Sequence, residues 1–159
     1  MTINVLFISP GYPAEMADFT RGLAQCGARV IGLGEHPADA LPPVVKQSLS
    51  DYLRVPSLVD TDSVLATVRE SASRTPIDQV ECLWEPFMTL AAQLREMLDI
   101  GGMHTAQTEL FRDKKKMKDA LDAAGLRTPR NTTATGPDAI RVAARKIGLP
   151  LVIKPIAGA

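Results

Sequence analysis

Residues 111–159 read FRDKKKMKDALDAAGLRTPRNTTATGPDAIRVAARKIGLPLVIKPIAGA, and this stretch decides how the rest of the chain is read. Met117, Ala120, Leu121 and Ala124 recur at helical steps, which predicts a helix over 113–124 stopped by Gly125. Ile140, Ala143, Ala144 and Ile147 repeat the pattern over 137–147, with Pro137 at the start and Gly148 as the stop. Leu151 to Lys154 is a short apolar run that predicts a strand ending on a lysine. A lysine in that position reaches solvent, pairs, or meets an anion. Pro155 and then Gly158-Ala159 begin a small-residue turn. A strand, a lysine and such a turn can present a point charge and backbone donors to phosphate. The 49 residues read as the first part of a nucleotide-binding domain, cut before it is finished.

The run Arg112-Asp113-Lys114-Lys115-Lys116-Met117-Lys118 opens the first of these helices. Steps of four and three place Lys114 and Lys118 beside Leu121 and the apolar face, with Lys115 toward solvent. A lysine in the first turn opposes the helix dipole, so Lys114 calls for solvent or an anion. As a nucleic-acid patch the run is short and lacks interleaved aromatics.

Working outward, the apolar share of 45% and charged share of 23% are those of a soluble globular protein, expected to be cytoplasmic. An aromatic share of 4% predicts an aliphatic core. No apolar run reaches the roughly 18 residues of a membrane helix, and the N-terminus lacks the features of a signal peptide. Net charge is zero yet unevenly spread: residues 1–103 carry −6 and residues 104–159 carry +6. The change of sign marks two units, joined near Gly101-Gly102. Cys26 and Cys82, 56 positions apart, allow a single long-range disulfide, but two reduced, buried thiols are the expectation.

The first unit alternates. Strands are predicted at 3–8, 29–33, 53–55 and 79–84, and helices at 14–26, 61–72 and from Pro86 to about 98. Gly27 ends the first helix, and Thr61 or Asp62 caps the second. The pattern is that of an α/β fold, a Rossmann-like open, doubly wound parallel sheet. The first strand–helix turn, SPGYPAEM, holds one glycine, Gly11, and two prolines, which withhold the N–H donors that dinucleotide binding needs. Glu35 ends the second strand where a ribose-binding acid would sit, but without those glycines it reads as part of a scaffold turn. Glu85 follows a strand at the ligand-binding edge of the sheet and could face a substrate cleft or solvent. His36 and His104 stand alone, with no second metal ligand at a useful spacing.

RDKKKMKDALDAAGLRTPR and ARKIGLPLVIKPIAGA, in this order, resemble the segments that open the ATP-grasp domain of ATP-grasp ligases. The resemblance implies residues 1–103 as a Rossmann-like pre-ATP-grasp domain and residues 104–159 as the start of the ATP-grasp domain. It implies contacts to ATP phosphates from Lys114 and Lys154, and Gly158 as the start of a loop closing over them. It implies a ligase that uses Mg2+ and ATP to convert a carboxylate into an acylphosphate, which an amine then displaces. Amino-acid ligases look most similar, with biotin-carboxylase-like proteins next. The partners expected are ATP and small carboxylate and amine substrates, with a homodimer as a further expectation and no nucleic acid or membrane. The family's metal ligands and acylphosphate-stabilising arginine match nothing here, so the 159 residues alone are expected to be inactive. The rival reading is a stand-alone Rossmann-like binding or regulatory module.

Overall fold

The computed structural model describes residues 2–157, so Gly158 lies outside the described residues. The chain divides into two compact units, Met1–Thr105 and Ala106–Ala159. Among the described residues no helix is long and apolar enough to cross a membrane.

The first unit is built on four parallel strands, β1 (Asn4–Ile8), β2 (Arg29–Gly34), β3 (Leu49–Arg54) and β4 (Gln79–Glu81), in the order β3-β2-β1-β4. The helices are α1 (Met16–Gln25), α2 (Pro43–Ser48), α3 (Thr61–Arg74) and α4 (Met88–Leu98). β1 shows why the sheet is covered on both faces. Its side chains alternate in direction, as any strand's do. Phe7 packs with Met16 and Leu23 of α1, whereas Leu6 and Ile8 pack with Val64 and Val68 of α3 and Leu90 and Leu94 of α4. A strand buried on both sides must be apolar throughout, and Leu6, Phe7 and Ile8 are wholly inaccessible. Burying each stabilises the fold by about 1.5–3 kcal/mol.

The helix boundaries follow local chemistry. Gly27 (φ 88°) and Gly125 (φ 68°) adopt the left-handed conformation that ends a helix. Asp60, rather than Thr61 or Asp62, caps α3, its carboxylate accepting from the Ser63 N–H at 3.2 Å. The inward face of α1 is Met16, Ala17 and Thr20. Phe19 is half exposed and Cys26 exposed, because Cys26 lies beyond the last helical residue, off the buried stripe. The expectation of two buried thiols is corrected for Cys26. Both cysteines are free.

The third strand is longer and earlier than its sequence pattern indicates. It lies at the edge of the sheet and is half solvated, so it carries Ser50 and Asp51 in place of an apolar run. Its register against β2 skips one residue between Val30 and Ile31, a bulge that further obscures the alternation. β4 is shorter than expected. Beyond Glu81 the backbone leaves the sheet, and the Cys82 thiol donates to the Trp84 carbonyl at 3.1 Å.

The second unit contains α5 (Thr105–Arg112, whose first residue belongs to the first unit), α6 (Lys114–Ala123) and α7 (Pro137–Ile147). The predicted strand at 151–154 is corrected: these residues take up no regular secondary structure, and Val152 and Ile153 are 78% and 69% exposed. A strand exists only when a neighbour satisfies its N–H and C=O groups, and no strand lies in the second unit among the described residues.

Candidate functional site

Four lysines of the second unit, Lys114, Lys115, Lys116 and Lys118, lie in the first two turns of α6. Asp113 caps that helix: one carboxylate oxygen accepts from the Lys115 N–H at 2.8 Å and the Lys116 N–H at 2.9 Å. The Lys114 N–H, the first of the helix, instead donates to the carbonyl of Ile156 at 2.9 Å. This bond ties the N-terminus of α6 to the segment that carries Lys154, two residues upstream of Ile156. Lys114 is half-buried and Lys154 exposed.

The structure sorts the other lysines of the run. Lys115 pairs with Asp119 one turn along the helix, and Lys116 pairs with Glu109 of α5. The hydrogen bond and charge of Glu109 raise the Lys116 pKa above the ordinary lysine value. These two ammonium groups have carboxylate partners within the unit. A separate concavity of about 320 Å³ is lined by Asp122, Thr128, Arg130 and Lys146, among others, and includes neither Lys114 nor Lys154. Its walls are mostly exposed side chains, and the Thr128 hydroxyl donates to Asp122 at 2.9 Å within it.

In the first unit, the turn after β1 uses its own donors. The Tyr12 N–H donates to Ser9, Met16 to Pro13 and Ala17 to Ala14. Pro10 and Pro13 have no N–H to offer. Gly11 sits close to Pro42, where a side chain would meet the proline ring at 3.0 Å. Glu35 holds the residues leading to α3: it accepts from the Leu58 N–H at 2.5 Å and the Ser57 hydroxyl at 3.2 Å. Its carboxylate is thus a tie between loops. Glu85 opens a short 3-10 turn, Glu85–Phe87, directly after the β4 loop. Burial pushes the Cys82 thiol up to about 11, so it is protonated and unreactive near neutral pH.

Sequence reasoning did not find the aromatic group beside Glu85. Tyr12 meets Trp84 edge to face at 4.8 Å between ring centroids, and Trp84 meets Phe87 at 5.1 Å. Tyr12 and Trp84 are 72 positions apart, and only the adjacency of β1 and β4 brings them together. Among the described residues no group of three or more His, Cys, Asp or Glu side chains is placed to hold a metal ion.

No protein-family model matches the chain. Over 94 residues, 59% of the chain, it is 31% identical to alanine–anticapsin ligase of Bacillus subtilis (strain 168); the match spans 20% of that protein. Among solved structures, L-amino acid ligase from Bacillus licheniformis superposes with a TM-score of 0.71 at 20% identity, over 99% of this chain and 38% of that one. The ADP complex of N5-carboxyaminoimidazole ribonucleotide synthetase superposes with a TM-score of 0.75 at 16% identity, over 100% of this chain and 39% of that one. The chain thus spans well under half the length of the proteins it matches. At these identities the likeness shows the fold, which is similar along the whole chain to the N-terminal region of ATP-grasp ligases.

Proposed function

We propose that this chain is the N-terminal part of an ATP-dependent carboxylate–amine ligase. Residues 1–103 act as its pre-ATP-grasp domain and residues 104–159 begin its ATP-grasp domain. Lys114 and Lys154 contact ATP phosphates, and Gly158 belongs to the loop that closes over them. The substrates are a small carboxylate and an amine, with amino acids favoured by the ligases that the chain resembles. ATP, when bound, supplies the phosphoryl group that activates the carboxylate. The residues of this chain hold the nucleotide's negative charge. The family's metal ligands and acylphosphate-stabilising arginine match nothing in this sequence, and the 159 residues alone are expected not to turn over ATP.

The observation that carries this reading is the Lys114–Ile156 backbone bond. It starts two lysines, 40 positions apart in sequence, from one small region of the second unit. Their charges can then act on one polyanion. The test is to replace Lys114 or Lys154 by Met in the ligase containing this chain. Each variant should lose about tenfold in kcat/KM for ATP, the worth of one charge-assisted contact. Unchanged ATP kinetics in both would remove the assignment.

A further inference from the structure

The segment that follows α6 passes the C-terminal end of α7, and the two border the concavity of about 320 Å³ described above. Its volume falls within the roughly 300–1,000 Å³ of small-molecule sites. We propose that it binds a phosphoryl dianion, either inorganic phosphate or the phosphate of a phosphomonoester, between the Arg130 guanidinium and the Lys146 ammonium. Arg127 lines an adjoining concavity that shares Thr128, Pro129 and Arg130, and it adds a third positive charge at the rim. The site includes neither Lys114 nor Lys154 and does not depend on the ligase reading.

The charges converge from two parts of the chain. Lys146 lies in the last turn of α7, and Arg130 stands 16 positions earlier. A Cβ added to Gly148, just beyond α7, would lie 3.9 Å from Nη2 of Arg130, so the guanidinium reaches the same helix end as Lys146. The carbonyl end of a helix does attract cations, by about 0.3–1 kcal/mol at an exposed site. Arg145 and Lys146 already serve that purpose within the last turn, so it does not account for Arg130.

The charges are also left unneutralised. Lys115, Lys116 and Arg141 of the same unit each pair with a carboxylate. Arg127, Arg130 and Lys146 have no hydrogen-bond or ion-pair partner among the described residues. Asp122 is the one acid in the wall, and it accepts from the Thr128 hydroxyl at 2.9 Å. Like charges held in one concavity repel each other, and an anion between them removes that cost.

The donors select the anion. A guanidinium offers a planar fork that matches two phosphoryl oxygens, and an ammonium adds a point charge. The side-chain amide of Asn131 supplies a neutral donor, with one N–H given to the Pro129 carbonyl at 3.4 Å. No aromatic side chain lines either concavity, so there is no stacking surface for the bases of a nucleic acid.

The experiment titrates the 15N-labelled 159-residue protein with sodium phosphate and, in parallel, with glycerol 3-phosphate and sodium nitrate. Ionic strength is held constant with sodium chloride, at mildly alkaline pH. Saturable shifts are expected at the Arg130 Nε–H and the Asn131 side-chain amide with both phosphates and not with nitrate. The tighter of the two phosphates identifies the source of the phosphoryl group. The midpoint should rise about tenfold in Arg130→Gln and in Lys146→Gln, the scale of one charge-assisted contact, and should stay within twofold in Arg145→Gln. No saturation with either phosphate, an equal response to nitrate, or an unchanged midpoint in either Arg130→Gln or Lys146→Gln would overturn the proposal. The Arg130 response should persist in the double variant Lys114→Met, Lys154→Met; its loss there would place the phosphate at those lysines and overturn the separate site. The ATP kinetics of the single lysine variants test the ligase reading independently of this titration.

Discussion

The Lys114 N–H donates to the Ile156 carbonyl at 2.9 Å, although the two residues stand 42 positions apart. The first amides of a helix have no partner inside it. In α6 a carbonyl from the far end of the described chain takes the first, and Asp113 takes the next two.

Two separate acceptors at one helix end lead to a site-specific expectation. Asp113→Ala removes a cap worth about 1 kcal/mol, so amide exchange at Lys115 and Lys116 should quicken about fivefold. The Lys114 amide, held by Ile156, should be affected less. Hydrogen exchange followed by NMR resolves these amides, and equal acceleration at all three positions would contradict the division of labour.

Gly32 of β2 lies against Tyr52. An added Cβ would stand 2.9 Å from the Tyr52 ring, 3.0 Å from Leu49 and 3.0 Å from the ring of Pro10. A proline ring cannot swing away, so Gly32→Ala should destabilise the protein by about 1–3 kcal/mol. Gly22, in the middle of α1, has no neighbour within 4 Å of its added Cβ. Gly22→Ala should therefore stabilise, by up to about 1 kcal/mol, through better helix propensity. Urea denaturation of the two variants gives opposite signs if this packing is correct.

Glu96 of α4 accepts from the Thr105 N–H at 2.7 Å and the Thr105 hydroxyl at 2.9 Å. These bonds hold its pKa below the ordinary glutamate value. A depressed folded-state pKa means the contribution is complete above the unfolded value, about 4.3, and is lost as pH falls through the lower, folded one. The Thr105 amide shift in NMR should accordingly titrate with a midpoint under 4.3. In Glu96→Gln that transition should vanish; a midpoint at or above the ordinary value would count against the bond.

Elements with a dense apolar signal were legible. β1 and α7 were readable to within a residue because each shows one period clearly: continuous burial in β1, and steps of three and four in α7. β3 was not, because an edge strand with a bulge and two polar residues shows neither period. α2 was missed because it is only six residues, Pro43–Ser48, too short to display a helical repeat. The run at 151–154 carried the signal of a buried strand and formed none, since strand pairing is supplied by a neighbour and cannot be read from the run itself. In the candidate site, Lys114 and Lys154 were singled out by residue type and position. The Tyr12–Trp84 contact was invisible, because the two residues belong to different crossovers.

By itself the sequence determined the α/β alternation, the helix stops at glycine, the acidic and basic halves and the identity of the lysines, since each of these depends on residues near one another along the chain. The tertiary structure decided the order β3-β2-β1-β4, and with it the reversal at β1 that sets Tyr12 against Trp84. It also decided that the N-terminus of α6 takes its first acceptor from Ile156. Both are contacts between residues far apart in sequence, chosen by the shared burial of several elements at once, and no local pattern encodes them.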